Sequence, residues 1–365
     1  MDVTEITSDE WTDHLPETGF DPFHTGEALE VIDRYADGNV RLFVGKRGEQ
    51  PVGLFPLFVR DEGPLTFVMS PPPGLAVPRL GPVLMPTSPK QRKREKANQR
   101  FTEAVLERID AADPLTAFGM VSTPEYTDPR PYSWNGLYVD ARFTYAIDLA
   151  ERGVEDVLNA FTSDLRSEIR KRNELDIDIT VEGGNAARQV CADMKERHAE
   201  QGLSYPTPPS FSEDLVDSPD DRSRVYVARA PDGSYLSGIT ILYSNDEAIF
   251  WQGGAKANYQ NVSVNSLLHW RIIEDILDDP ELKSVERYDL GNAGVERISD
   301  YKSKFDAQLR SHYEVKSNLM RLAKKAYSAQ RHLQGTDLSD IKTAVRQRYN
   351  GVSEKRPETL ARFRS

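Results

Sequence analysis

The sequence predicts an α/β protein of two tandem, related domains, each a mixed, mostly antiparallel sheet flanked by helices. Three observations carry that expectation. The chain has 365 residues, more than one ordinary domain needs and enough for each half to bury its own core. The stretch RLFVGKRGEQPVGLFPLFV (41–59) returns in altered form as RVYVARAPDGSYLSGITILY (224–243). Both read as hairpins: an alternating apolar run, a charged turn containing glycine, then a second run resumed with glycine. With two extra residues in the second turn, Arg41 meets Arg224, Val44 meets Val227 and Gly53 meets Gly238. Finally, each copy precedes a helix of about four turns and then another strand, so the same element order occurs twice.

The elements follow in order. In the first domain (1–150), TGEALEVIDRYADG places Ala28, Leu29, Ile32 and Tyr35 at helical spacing. The hairpin comes next, then SPPPGLAVPRLGPVLMPTSP, too rich in Pro and Gly for a helix and read as loop with short strands. KQRKREKANQRFTEAVLERIDAAD has a helical stripe of Phe101, Val105, Leu106 and Ile109 and a stop at Asp113-Pro114. LTAFGMVS reads as a strand, and the loop after it ends in the extended FTYAIDL. In the second domain (151–318), VEDVLNAFTSDLRSEIRKRNEL puts Val157, Leu158, Phe161, Leu165 and Ile169 on one face of a single helix. IDITVEGG is a strand, NAARQVCADMKERHAEQG a helix closed by Gly202, and YPTPPSFSEDLVDSPDD a loop with a short helix. A three-stranded meander to QGGA, the helix VSVNSLLHWRIIEDILDD, the strand VERYDLGN, the short helix ISDYKSKFDA and the strand LRSHYEVK complete it. Residues 319–365 form a basic, partly helical tail.

Composition narrows the function. The net charge of −12 speaks against a nucleic-acid-binding surface, and against DNA as a partner. Arg exceeds Lys and Asp is frequent, a bias of salt-adapted surfaces that a soluble mesophilic surface can share. Basic clusters at 90–100, 165–172 and from Lys316 onward read equally as solvated helix faces or as anion sites. No apolar run is long enough for a membrane span, and the acidic start MDVTEITSDEW has no signal-peptide core. A cytoplasmic protein is expected. The single cysteine, Cys191, excludes an internal disulfide and reads as a buried thiol; six scattered histidines give no metal pattern. GxxxxGK[ST] and GxGxxG are absent.

Four stretches of the second half, LRSEIRKRNELDIDI, GSYLSGITILYSNDEAIFWQGGA, NSLLHWRIIEDI and YDLGNAGVERISDYKSKFDA, resemble the FemAB-like branch (BioF2-like) of the Gcn5-related N-acetyltransferase (GNAT) superfamily. That branch is built of two tandem GNAT-like domains. Its Asp-x-Gly turn, aromatic–Lys pair and second aromatic match Asp289, Gly291, Tyr301, Lys302 and Phe305, while Asp306 stands where the family has glycine. The first half fits through LFVGKRGEQPVGLFPLFV and LGPVLMP. The resemblance implies an N-acyltransferase with a cleft in the second half, moving an acyl or aminoacyl group to the amine of a small or envelope-related acceptor. No permanently bound cofactor is implied; the donor would be acyl-CoA or aminoacyl-tRNA. Acyl-CoA is favoured by the net charge and by the lack of an inserted helical arm. KANYQNVSVNS, however, lacks the glycines of the usual acetyl-CoA loop. A GNAT-fold binding protein without turnover is the alternative.

Acyl transfer needs a held donor, a polarised carbonyl and a deprotonated amine. The resemblance assigns the second to backbone N–H groups of AIFWQGGA, with Gly253 and Gly254 either approaching the donor or easing a bend. Lys302 is the expected catalytic residue, holding an anion or stabilising an oxyanion; a solvated lysine beside Lys304 is the plain alternative. Asp289 would orient or deprotonate the amine, or simply form a turn. Arg166 and Arg170, four residues apart, could clamp phosphate. The resemblance places Tyr205 in the acceptor loop, and a loop aromatic capping the core is the preferred reading. Tyr259, Asn265, Asn292 and Tyr301 are further expected substrate contacts.

Overall fold

The structure, a computed structural model, describes residues 1–218, 222–294 and 296–332. It divides into two compact units, Met1–Ser317 and Asn318–Ser365. In chain order the first half contains β1 (Asp2–Ile6), α1 (Ser8–His14), α2 (Gly26–Tyr35), β2 (Asn39–Arg47), β3 (Gln50–Glu62), β4 (Leu65–Ser70), β5 (Val83–Leu84), α3 (Gln91–Arg108), β6 (Thr116–Val121), α4 (Arg130–Trp134) and β7 (Tyr138–Asp148). The second half contains α5 (Val154–Ala160), α6 (Ser163–Arg170), β8 (Asp178–Glu182), α7 (Gly184–Glu200), α8 (Pro209–Val216), β9 (Ser223–Arg229), β10 (Tyr235–Tyr243), β11 (Glu247–Gly253), β12 (Asn258–Tyr259), β13 (Val262–Ser263), α9 (Val264–Asp278), β14 (Arg287–Asn292), α10 (Glu296–Ser303) and β15 (Gln308–Lys316). The second unit begins with α11 (Asn318–His332); the rest of the expected basic tail lies outside the described residues.

One sheet of 13 strands runs through both halves among the described residues, in the order β1-β2-β3-β4-β6-β15-β7-β14-β11-β10-β9-β8, with β5 also on β3. Its parallel pairs are β4 with β6 and β11 with β14, one in each half and each bridged by a long helix, α3 or α9. The neighbours along the rest of the sheet are antiparallel, so the fold is the mixed, mostly antiparallel one the sequence predicts. The last strand, β15, lies between β6 and β7, so the two halves share their strands at the centre.

The repeated glycine of the two hairpins has a packing cause. Gly45 and Gly53 face each other across β2 and β3, and a Cβ on either would lie within 3 Å of the Phe101 ring. At the second copy, a Cβ on Gly238 would lie 2.8 Å from the Val190 side chain of α7. Each glycine therefore opens the sheet to a helix side chain.

Local corrections concern boundaries. The helix expected across 154–175 is two, because Phe161 (ψ 158°) and Thr162 (ψ 152°) are extended. The break seats the Phe161 ring against Trp270 and Phe305 and still leaves Val157, Leu158, Leu165 and Ile169 in one core cluster. Helix α3 stops at Arg108 rather than at Asp113-Pro114, since Asp110 turns left-handed (φ 52°). Strands β1 and β4 and helix α1 had no sequence expectation. A core cluster spans the halves, joining Trp11, Phe23 and Val77 to Phe211, Leu242 and Trp251. Among the described residues no helix is long and apolar enough to cross a membrane.

Candidate functional site

The two parallel pairs differ. In the first half β4 and β6 pair from Thr66–Thr116 to Ser70–Met120. After the excursion 71–79, Leu80 resumes the pairing opposite Ser122, its N–H donating to the Val121 carbonyl at 2.9 Å. Gly81 N–H donates to Ser70 Oγ at 3.0 Å. The first pair is thus closed by its own chain. In the second half β11 and β14 pair only at Glu247–Arg287, Ala248–Tyr288 and Ile249–Asp289, then part. There β11 also bulges: Ile241 faces Phe250 and Thr240 faces Gln252, leaving Trp251 as the extra residue. Its indole N–H donates to the Ala76 carbonyl at 2.6 Å, so the first half's excursion reaches the second half's bulge. Phe250–Gly253 and Leu290–Asn292 are the two sides of a V.

Lys302, on α10, is buried beside this V. Its Nζ donates to the Asn292 carbonyl at 2.8 Å, and a Cβ on Gly291 would lie 3.6 Å from it. Gly291 has φ 81°, so this turn needs glycine. Burial pushes the Lys302 amine down to about 8, against the opposing pull of the Asp289 carboxylate. Behind Lys302 the His269 ring lies 5.1 to 6.3 Å from the rings of Phe250, Phe305, Tyr288 and Tyr301. His269 Nδ1 is 2.8 Å from the Tyr288 hydroxyl, and burial pushes its ring down to about 3, so it is neutral. The Tyr301 and Ser266 hydroxyls lie 3.3 Å apart and share a hydrogen bond.

Asp289 is fully buried with both oxygens engaged. Arg79 Nη1 donates at 2.5 Å, Thr144 Oγ1 at 2.5 Å and Gly291 N–H at 2.6 Å. Burial opposes its charge, but Arg79 and Thr144 hold its pKa below the usual carboxylate range. A carboxylate so held is a poor base, and it anchors the Gly291 turn. Arg79 itself was not anticipated from sequence. It comes from the edge of the first half's excursion, is 4% exposed, and also donates to Asp21 at 2.7 Å and Glu247 at 3.3 Å. Burial works against its charge, yet the three carboxylates keep it protonated. Arg310 bridges Glu247 at 2.6 Å to Glu125 at 2.5 Å.

The other expected residues are scattered around this centre. Packing sets both glycines: a Cβ on Gly253 would lie 2.7 Å from the Phe250 ring, and one on Gly254 2.7 Å from the Tyr235 hydroxyl. Arg166 donates to the Asn159 and Phe161 carbonyls left by the α5–α6 break, whereas Arg170 is exposed. The Tyr205 hydroxyl accepts from Gln252 Nε2 at 3.0 Å, and Asn265 Oδ1 accepts from Ser237 Oγ at 3.0 Å. Tyr259 lies in the β12–β13 hairpin, turned by Gln260 (φ 47°) and Asn261 (φ 65°). Where acetyl-CoA users have a Gly-rich turn this chain has that hairpin, and Ser263, which caps α9, donates its N–H to Glu168 Oε1 at 2.7 Å. Cys191 is buried, its thiol raised by burial, as expected of a core cysteine. Asp306, in the family's glycine position, has φ 56°, the conformation glycine would supply. Among the described residues no three His, Cys, Asp or Glu side chains are placed to hold a metal. A cavity of about 690 Å³ lies in the first half, between α3 and residues 125–130, away from the V.

Residues 159–303 match the model of a family described as an acetyltransferase (GNAT) domain. Comparison with curated protein sequences finds no significant match. Among solved structures the chain is similar to FemX, with a TM-score of 0.63 and 12% identity over 86% of this chain and 97% of that one. It is similar to a conserved protein of unknown function from Bacteroides thetaiotaomicron (TM-score 0.53, 12% identity, 86% and 98% covered). It is also similar to a C-terminal domain assigned to a lysylphosphatidylglycerol synthetase from Agrobacterium fabrum (TM-score 0.52, 12% identity, 88% and 96% covered). At these identities the likeness is one of fold.

Proposed function

The second half of this chain belongs to the GNAT acetyltransferases, with the fold of their FemAB-like branch, and from that premise we propose that the protein is an N-acyltransferase. It moves an acyl or aminoacyl group from an activated donor to the amine of a small or envelope-related acceptor. The observation that carries this reading is the parting of β11 from β14 after Ile249 and Asp289, beside a bulge and a buried lysine. The division into domains at residue 150, with the working cleft in the second, and a cytoplasmic location belong to the same reading.

The chemistry follows from the side chains present. The donor enters the V, and backbone N–H groups freed at the Phe250–Gln252 bulge polarise its carbonyl oxygen. The acceptor nitrogen attacks the carbonyl carbon, the bond to the donor's sulfur or oxygen breaks, and the nitrogen sheds one proton. Lys302, with its pKa near 8, is partly neutral at mildly alkaline pH and takes that proton or steadies the oxyanion. The rings of Phe250, His269, Tyr301 and Phe305 keep water from its inner side. Acyl-CoA is favoured over charged tRNA as donor by the net charge of −12. A relative in fold named for lysylphosphatidylglycerol supports an envelope-related acceptor.

A second reading, a GNAT-fold binding protein without turnover, has one feature in its favour. The Glu168 carboxylate meets the capped start of α9, where an acetyl-CoA user seats its pyrophosphate. Both readings meet in one experiment: thermal unfolding and transfer of labelled acyl groups with acetyl-CoA, longer acyl-CoAs and aminoacyl-tRNA. A donor at a hundred times its Kd stabilises the fold by about 3 kcal/mol. Stabilisation with transfer supports the enzyme, and stabilisation without transfer to any amine supports the binding protein. No stabilisation by any donor contradicts both.

A further inference from the structure

We infer that Arg79, a residue of the first half, is a positioning residue for the second half's site, fixing Asp289 and through it the turn that holds Lys302. This inference rests on the proposed function, which it extends to a residue outside the matched domain. The geometry is specific. The segment that closes the first half's parallel pair does not stop there: Trp251 at the β11 bulge is bonded to Ala76, and Arg79 forks to both strands of the second pair, Glu247 on β11 and Asp289 on β14. These are the strands that separate two residues beyond Glu247, at the base of the V. Asp289 in turn accepts the Gly291 N–H, and the Asn292 carbonyl in the same turn accepts from Lys302. Arg79, Asp289, Gly291, Asn292 and Lys302 form one chain of contacts.

The charges around this chain give the inference a sign. Asp289 faces Lys302 from β14, and neutral His269 faces it from α9. Asp289 is faced by Arg79 and Thr144, and His312 on β15, itself pushed down to about 4 by burial, is neutral. Glu247 faces Arg79, Arg310 and Arg287, and Asp21 faces Arg79 from the first half. Arg79 therefore offsets the one carboxylate that favours the Lys302 ammonium. Losing Arg79 strengthens the pull of Asp289 on Lys302; losing Asp21 leaves more of the Arg79 charge to offset Asp289.

The test compares Arg79→Gln and Asp21→Asn in the full chain, with Lys302 titrated by NMR after ¹³C reductive methylation and identified by its loss in Lys302→Arg. Alongside it runs the pH–rate profile of transfer with the acyl donor that the wild type uses. The expected midpoint for Lys302 moves up by about one unit, tenfold in its protonation constant, in Arg79→Gln and moves down in Asp21→Asn. The rate profile moves with it in each variant, and in Arg79→Gln kcat below the shifted midpoint falls while KM for the donor holds. Should Arg79→Gln not fold, the downward shift in Asp21→Asn carries the test. Midpoints unchanged in the folded variants overturn the inference. The titration needs no turnover, so a wild type that transfers nothing sinks the proposed function and leaves the role of Arg79 measurable.

Discussion

Replacing Lys302 with methionine separates the needs of the fold from those of the site. In the native state burial lowers this amine from 10.5 to about 8, a difference of about 3 kcal/mol between its two protonation states. The sign follows from linkage. Between pH 8 and 10.5 the unfolded chain binds the proton and the folded one has released it, so wild-type stability rises with pH through that window. Below it, the folded protein carries the full unfavourable contribution of a buried ammonium. Lys302→Met removes that contribution and also the hydrogen bond to the Asn292 carbonyl, a loss of about 1–2 kcal/mol. The expected result is a variant about 1–2 kcal/mol more stable than wild type at pH 7, its advantage gone or reversed at pH 10.5. Turnover falls by about two to three orders of magnitude, the scale of losing one preorganised donor. Urea denaturation at the two pH values, with the transfer assay, makes the measurement. A variant destabilised equally at both pH values would refute the reasoning, because it would make Lys302 an ordinary structural lysine.

Three further outcomes are expected. Gly254→Ala places a Cβ 2.9 Å from Asp193 Oδ2 and 3.1 Å from the Gly238 nitrogen, and should cost about 1–3 kcal/mol in urea; an unchanged midpoint would show that β10 and β11 can separate there. Asp306→Val, at φ 56°, should lose about 1–2 kcal/mol while Asp306→Gly stays within about 1 kcal/mol of wild type; equal loss in both would point to the Arg152 ion pair instead. Glu168→Gln removes the carboxylate at the start of α9 and should tighten acyl-CoA binding about fivefold by calorimetry; unchanged affinity would place the donor's phosphates elsewhere.

Much of the fold was legible because local patterns and tertiary packing agree. The stripe of α3 and the Asp289–Lys302 motif are local signals, and the hairpin glycines repeat at matching places in both copies although the side chains they admit, Phe101 and Val190, come from helices far along the chain. The break at Phe161 was hidden because its ring keeps the helical face buried while the backbone leaves the helix. Of the expected site, Lys302, Asp289, Asn292 and Tyr301 are brought together, whereas Arg166 is committed to backbone and Arg170 to solvent. The ion cluster could not be read from sequence. Arg79 joins carboxylates at positions 21, 247 and 289, and no local spacing marks such a set. The excursion carrying Arg79 reads as a Pro-rich loop, and its path is set only when β6 and β11 are both in place. Asp306 is the converse case: a departure from the family's glycine whose backbone keeps glycine's conformation.

The most direct test of the central claim is amide hydrogen exchange with and without the best-binding donor, acetyl-CoA, a longer acyl-CoA or aminoacyl-tRNA, at a hundred times its Kd. New protection is expected at residues 250–256 and 289–292, on the two sides of the second half's V, and none at 66–70 or 116–122. Protection confined to the first half, at 85–98 and 125–130 around its cavity, would contradict it.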